Sequence, residues 1–306
     1  LKISLITPAG PGTRNGNRHT ALRWAAFLRA AGHTVTVEVE WSGKPADLML
    51  ALHARRSHGS IVRFPKEQPL VVALTGTDVY RDIHTSREAK ESLQLADRFI
   101  VLQPKAIGEL PGKYRRRARV VVQSSSTTLR HRPVGHTFRI CVIGHLRDEK
   151  DPLRALAALR HTDMPVEVIH LGAALDERLG RQARDGMKRE ARYRWLGNVP
   201  HGRALRWLAS SHAMVISSRM EGGANVVCEA LRIGVPVLAS RISGNIGLLG
   251  PAYPAYFTAG SEKALAELIE RTASQGFYRR LKRAIAPLRA KVSPQSEARA
   301  LLRAIG

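Results

Sequence analysis

Glu221 and Glu229 stand eight residues apart, separated by Gly222-Gly223-Ala224-Asn225 and the short apolar run Val226-Val227-Cys228. An apolar stretch at 213–216 precedes them and another at 235–239 follows. The order reads as strand, glycine turn, helix, strand. Glycines let a backbone come close to a ligand, and a helix opening near Asn225 directs its unpaired N–H groups at that ligand, so the turn suits an anion. With Glu221 on the loop and Glu229 on the helix, a rise of about 1.5 Å per residue sets the carboxylates on the order of 10 Å apart. That is roughly the span from a hexose to a ribose through a diphosphate, and each carboxylate accepts from a pair of sugar hydroxyls. A further glycine loop, Ser243-Gly244-Asn245-Ile246-Gly247, follows the second strand, as expected at the carboxyl edge of a doubly wound sheet.

Cations complete the chemistry. The segment 143–152 holds Gly144, His145, Arg147 and Lys150 between an apolar run and a helix-length stretch. Lys150 is the leading phosphate ligand: an ammonium there offsets charge building on a departing diphosphate, an effect worth ~3 kcal/mol per donor. Arg147 shares the role through a guanidinium fork suited to bidentate phosphate contact. The loop 8–17 contains Gly10, Gly12, Gly16 and Asn17 but neither Gly-x-Gly-x-x-Gly nor Gly-Lys-Ser/Thr, so it reads as a flexible loop that closes on phosphate. Three more polar groups follow apolar runs in the first half: His53 with Arg55 and Arg56, Thr75-Gly76-Thr77-Asp78 with Arg81, and Gln123 with three serines. Converging on one sheet edge, they suggest a site for an anionic acceptor. No Ser/His/Asp order with a nucleophile elbow is present.

These loops need elements to hold them. Strand-like runs at 3–7, 34–39, 48–52, 70–75, 98–102 and 120–123 alternate with helical patterns at 20–31 and 86–96. After an Arg-, His- and Pro-rich interruption at 127–137, read as an interdomain linker, strands are expected at 138–143, 166–171, 193–196, 213–217, 235–240 and 256–257. Helices are expected at 153–159, 203–210 and 224–233, and the chain beyond Ser261 reads as helical, broken at Pro287 and Pro294. Such alternation predicts parallel sheets covered by helices, an α/β protein with two halves and the ligand between them.

Composition narrows the field. The 306 residues are 44% hydrophobic, enough for two cores, and carry 49 Lys and Arg against 25 Asp and Glu, a net charge of +24. Basic residues spread through nearly every helical segment and aromatics make up only 5%, too few for a base-stacking surface, so no nucleic acid partner is expected. Contact with an anionic membrane face remains compatible with the charge. No apolar run reaches membrane-spanning length and no signal-peptide pattern opens the chain, which points to the cytoplasm, while the initial Leu1 suggests that the natural start lies upstream. Cys141 and Cys228 lack ligand spacing and the 12 histidines form no metal-binding pattern, so neither a metal nor a disulfide is expected.

With these motifs assembled, the chain resembles a GT-B glycosyltransferase of the family 4 type over nearly its whole length. The resemblance implies two Rossmann-like domains facing across a cleft: 1–132 for the acceptor, 133–275 for the nucleotide sugar, and C-terminal helices 276–306 crossing back. It implies that Glu221 contacts the sugar, that Glu229 contacts the ribose, and that a loop with an Arg beside its glycine holds the diphosphate. Here His145 takes the place of that Arg, although Lys150 stands where a lysine is expected. More narrowly, the strings LHARRS (52–57), LTGTDVYRDI (74–83), VLQPKAI (101–107), IGHLRDEKDP (143–152), SSRMEGGANVVCEA (217–230) and SGNIGLLG (243–250) resemble the selenosugar synthases of selenoneine biosynthesis. That likeness implies metal-independent, cofactor-free transfer of a hexosamine from UDP-N-acetylglucosamine, or of glucose from UDP-glucose, to selenophosphate. On this reading Gly16, Asn17, Gly144, His145, Arg147, Lys150, Glu221, Gly222, Gly223, Ala224, Asn225 and Glu229 bind the donor. His53, Arg55, Arg56, Thr75, Gly76, Thr77, Asp78, Arg81 and Gln123 shape the acceptor end, and catalysis falls to Lys150, Arg147, Glu221 and His53. A family 4 enzyme acting on a lipid or polysaccharide hydroxyl, and a noncatalytic binder of UDP-sugar or nucleic acid, are the alternatives.

Overall fold

The structure, a computed structural model, describes residues 1–12, 16–135 and 137–306. The chain divides into two compact units, Leu1–Gln123 with Pro294–Gly306, and Ser124–Ser293. The dividing points therefore differ from the expected 132 and 275. Residues 124–135 lie in the second unit without helix or strand, and their backbone is tied down by Arg132 N–H to the Ala209 carbonyl (2.8 Å) and His131 N–H to that of Ile233 (3.2 Å). His136, within the expected linker, is outside the described residues.

The first unit is a six-stranded parallel sheet of β1 (Lys2–Ile6), β2 (Thr34–Glu38), β3 (Leu48–Leu52), β4 (Leu70–Leu74), β5 (Arg98–Val101) and β6 (Ala118–Val120), in the order β2-β1-β3-β4-β5-β6. Its helices are α1 (Gly16–Ala30), α2 (His58–Arg63), α3 (Ile83–Thr85), α4 (Arg87–Leu95) and α5 (Gly112–Arg115). Strands β3 and β4 are buried at every position, which is why they read as unbroken apolar runs rather than as alternation. The last strand sits at 118–120 rather than 120–123: Arg119 faces outward, and pairing ends with Val121 N–H on the Val101 carbonyl (2.9 Å).

The second unit holds β7 (Phe138–Ile143), β8 (Val166–Leu171), β9 (Tyr193–Trp195), β10 (Ala213–Ile216), β11 (Val237–Ser240) and β12 (Tyr256–Phe257), all parallel in the order β12-β11-β10-β7-β8-β9. Around them lie α6 (Arg154–Ala158), α7 (Glu177–Arg189), α8 (His201–Ala209), α9 (Asn225–Ile233), α10 (Ser243–Leu249), α11 (Glu262–Ala273), α12 (Gln275–Ile285) and α13 (Leu288–Lys291). The expected glycine loop at 243–247 is the start of helix α10. Leu248 and Leu249 are buried, and Gly244 is required by crowding: a Cβ there would fall 2.0 Å from the Glu221 carbonyl oxygen.

The chain then returns to the first unit as α14 (Pro294–Ile305), whose Leu301, Ala304 and Ile305 join the core formed by Ile3, Leu5, Trp24 and Leu28. No helix among the described residues is long and apolar enough to cross a membrane.

Candidate active site

In the second unit, strand order reverses between β7 and β10, since β8 extends the sheet from the other side of β7. Loops leaving the carboxyl ends of two strands at such a point form a crevice. The two loops here are those that carry Lys150 and Glu221, and the structure joins them: Lys150 Nζ bonds Glu221 Oε1. The Ser218 hydroxyl donates to the same oxygen (2.6 Å). Glu221 is buried and Lys150 half-buried, so the pair is shielded from bulk solvent without being sealed. Gly144, Lys150, His170, Ser217, Ser218, Glu221 and Val226 line one small cavity of about 20 Å³.

Several contacts hold Lys150 in place. Asp151 takes the left-handed backbone (φ 44°), a conformation Asp tolerates better than most residues, and so turns the chain sharply after the lysine. The Ser217 hydroxyl donates to the carbonyls of Lys150 (3.2 Å) and Asp151 (2.8 Å), and Arg219 N–H donates to that of Glu149 (2.9 Å). Arg154 grips the Asp151 carboxylate through Nε (2.9 Å) and a second nitrogen (3.2 Å), and also bonds Glu262 at the start of α11. Beneath Ser218, the Ser240 hydroxyl donates to its carbonyl (2.6 Å), and Asn245 on α10 donates to the Ser240 carbonyl (2.9 Å).

Glu229 projects from α9, whose first turn has no side-chain cap. Its Oε1 bonds His201 Nε2 at 2.7 Å, and that hydrogen bond raises the His201 pKa above its ordinary value. His201 opens α8 and was outside the residues that the sequence singles out; a histidine directly after Pro200 carries no local signal. Arg147 does not line the cavity with Lys150; it is exposed and pairs with Glu149 at 3.2 Å. The ring of His145 is turned into the fold, its Nδ1 accepting from Ala173 N–H (3.0 Å). Gly222, Gly223 and Ala224 lie in the turn between β10 and α9, and Asn225 opens the helix. Among the described residues no group of three or more His, Cys, Asp or Glu is arranged for a metal ion.

The first unit gathers its predicted polar residues at the ends of β3 and β4. His53, buried, adopts φ 75°. Its Nδ1 accepts from Arg56 N–H (3.3 Å), and Nε2 lies 3.4 Å from the Thr77 hydroxyl and 3.8 Å from Asp82 Oδ2. Burial is the main cause that lowers its pKa, so the ring is held neutral. Asp78 caps the turn, with Oδ1 accepting from Thr75 N–H (2.9 Å) and Gly76 N–H (2.8 Å), and Oδ2 from Ala54 N–H (3.2 Å). Asp82 receives two guanidinium groups, Arg55 Nε at 3.1 Å and Arg81 Nε at 3.0 Å. Gln123 lies elsewhere, donating 2.5 Å to the Thr20 hydroxyl, which in turn donates 2.8 Å to the Gly16 carbonyl. Of the loop expected to close on phosphate, Gly16 and Asn17 begin α1, while Thr13, Arg14 and Asn15 lie outside the described residues.

Comparison with known proteins agrees with this architecture. HepE from Anabaena, solved in complex with UDP-glucose, is similar at 17% identity with 99% of this chain and 98% of that one covered, and a TM-score of 0.78. Sucrose-phosphate synthase from Thermosynechococcus elongatus is similar at 16% identity, with 99% and 97% covered and a TM-score of 0.78. The lipopolysaccharide outer core galactosyltransferase WaaB is similar at 13% identity, with 100% and 99% covered and a TM-score of 0.74. At such identities the likeness is one of fold, the two-domain GT-B arrangement. Residues 130–286, more than half of the chain and all of the region around Lys150, Glu221 and Glu229, match the family described as glycosyl transferases group 1. By that match the chain belongs to the group 1 glycosyl transferases, and it is a glycosyltransferase.

Proposed function

We propose that the enzyme transfers N-acetylglucosamine or glucose from a UDP-sugar to selenophosphate. The observation that carries the donor half is the meeting of Lys150 with Glu221 at the switch point of the second unit. Glu221 orients the hexose through its hydroxyls, Gly223 and the turn beside it admit the ligand, Glu229 accepts from the ribose, and Lys150 faces the diphosphate. The fold neighbour HepE binds UDP-glucose, which supports a UDP-sugar as donor.

The acceptor half is supported by the first unit, where Arg55 and Arg81 converge on Asp82 beside Arg56 and the neutral His53. A multiply charged oxyanion attracts such guanidinium groups, and Thr75 to Thr77 add polar contacts. In the reaction a selenium lone pair forms the bond to C1 of the sugar, while the bond from C1 to the β-phosphate oxygen breaks and its electron pair departs with UDP. Selenophosphate is already anionic and softly nucleophilic, so the site has to hold it and ease UDP away rather than deprotonate it. Both substrates are soluble anions, which fits a cytoplasmic reaction.

Incubation with UDP-N-acetylglucosamine or UDP-glucose plus selenophosphate should yield UDP and a sugar product with the isotope pattern of selenium by mass spectrometry. Glycosylation of lipid or polysaccharide hydroxyls with no selenium-bearing product overturns the acceptor assignment. Failure to release UDP from any donor overturns the donor assignment as well.

A further inference from the structure

His170, on β8, is fully buried and sits under the loop that leads to Lys150. Its Nδ1 lies 2.8 Å from the Tyr193 hydroxyl and its Nε2 lies 3.1 Å from the Gly144 carbonyl. Burial pushes the Tyr193 phenol up, so it keeps its proton and donates; burial brings His170 down to about 4, so the ring is neutral. With Nδ1 accepting, the single ring proton is on Nε2, and it is given to Gly144.

The peptide joining Gly144 to His145 is confined from other directions too. A Cβ at Gly172 (φ 153°) would fall 2.1 Å from the Gly144 oxygen and 2.9 Å from His145 N, so only glycine permits that approach. Gly144 N–H donates to the Leu171 carbonyl (2.9 Å), and Ala173 N–H holds the His145 ring at 3.0 Å. In a trans peptide the carbonyl and N–H point in opposite senses, so a carbonyl directed at His170 turns the His145 N–H away from it. Gly144 and His170 line the same cavity as Lys150 and Glu221.

We propose that His170 is a positioning residue, whose Nε2–H sets the plane of the Gly144–His145 peptide and with it the stance of the loop toward the diphosphate of the donor. The inference rests on the reading of that loop as the diphosphate site.

The test is titration calorimetry of the full chain with UDP and with UMP. His170→Leu should weaken UDP about tenfold, the scale of one lost buried hydrogen bond, and change UMP less than twofold. His170→Gln, whose amide N–H reaches the Nε2 position, should recover most of the UDP affinity; His170→Asn, which reaches only the Nδ1 position, should not. The Gln and Asn comparison decides the matter even where the leucine variant fails to fold. Equal UDP affinities for Gln and Asn, equal losses for UDP and UMP, or an unaffected His170→Leu overturn the proposal. Lys150→Ala is measured alongside: if it leaves UDP affinity intact, the donor-site reading falls and the inference with it, whereas a loss there with none at His170 removes the inference alone.

Discussion

One oxygen of Glu221 is shared by an ammonium and a hydroxyl, which fixes the carboxylate in place. Glu221→Gln preserves the shape and removes the charge; turnover, followed as UDP release, should fall about 10²-fold or more while UDP affinity stays within a few-fold. Glu229 is in a different situation, because His201 holds its Oε1. Hydrogen bonding raises the His201 pKa, so the imidazolium is fully paired below the ordinary histidine pKa and the pairing is lost as pH rises through the raised value. Uridine has no phosphate to titrate and should therefore bind more tightly at pH 8.5 than at pH 6, by equilibrium dialysis. His201→Ala should flatten that dependence; a wild-type profile without slope contradicts the link. That Glu221, Lys150 and Gly144 would come together at one sheet edge was legible in the sequence because a glycine, a carboxylate and an ammonium each follow an apolar run. His201 and His170 were not, since which neighbour an aromatic side chain meets depends on strand order, and strand order is not written in local spacing; Arg147, expected beside Lys150, pairs instead with Glu149 of its own loop.

At the scale of elements, the strands were readable because fully buried parallel strands leave unbroken apolar runs, as in β3 and β4. Helix α7 left no such mark: only Leu179, Gly180 and Ala183 are buried, and most of the remaining residues are charged. Helix α10 reads as a loop because Ser243, Gly244 and Gly247 are poor helix formers, and packing overrides that preference. Gly244 is there for its lack of a side chain, the helix lying directly against the Glu221 backbone. Gly244→Ala should displace the 217–223 turn, cost about 1–3 kcal/mol by chemical denaturation and lower turnover together with stability. A variant as stable and active as the parent would show that α10 has room to move.

On the scale of the whole molecule, the first unit is closed by a helix that returns after the second unit has been completed. The carboxylate of Glu297, buried on α14, accepts from Arg23 Nε (2.8 Å), a second Arg23 nitrogen (3.1 Å) and Trp24 Nε1 (2.7 Å). Glu297→Ala deprives the buried Trp24 indole N–H of this acceptor and removes the ion pair to Arg23, and should destabilise the first unit by about 2–3 kcal/mol, read as a lowered Tm. Glu297→Gln should retain part of the loss-free behaviour by keeping one acceptor. The sequence made the return of the C-terminal helices an expectation only through a resemblance, because nothing local to 294–305 says which core its apolar stripe will join. Topologically, the second unit is an insert spliced into the first. Optical-tweezer handles placed in β1 and α14 would therefore load the first unit from both sides, so α14 should peel away at the first force step. The 124–293 unit should then extend in a separate, later event.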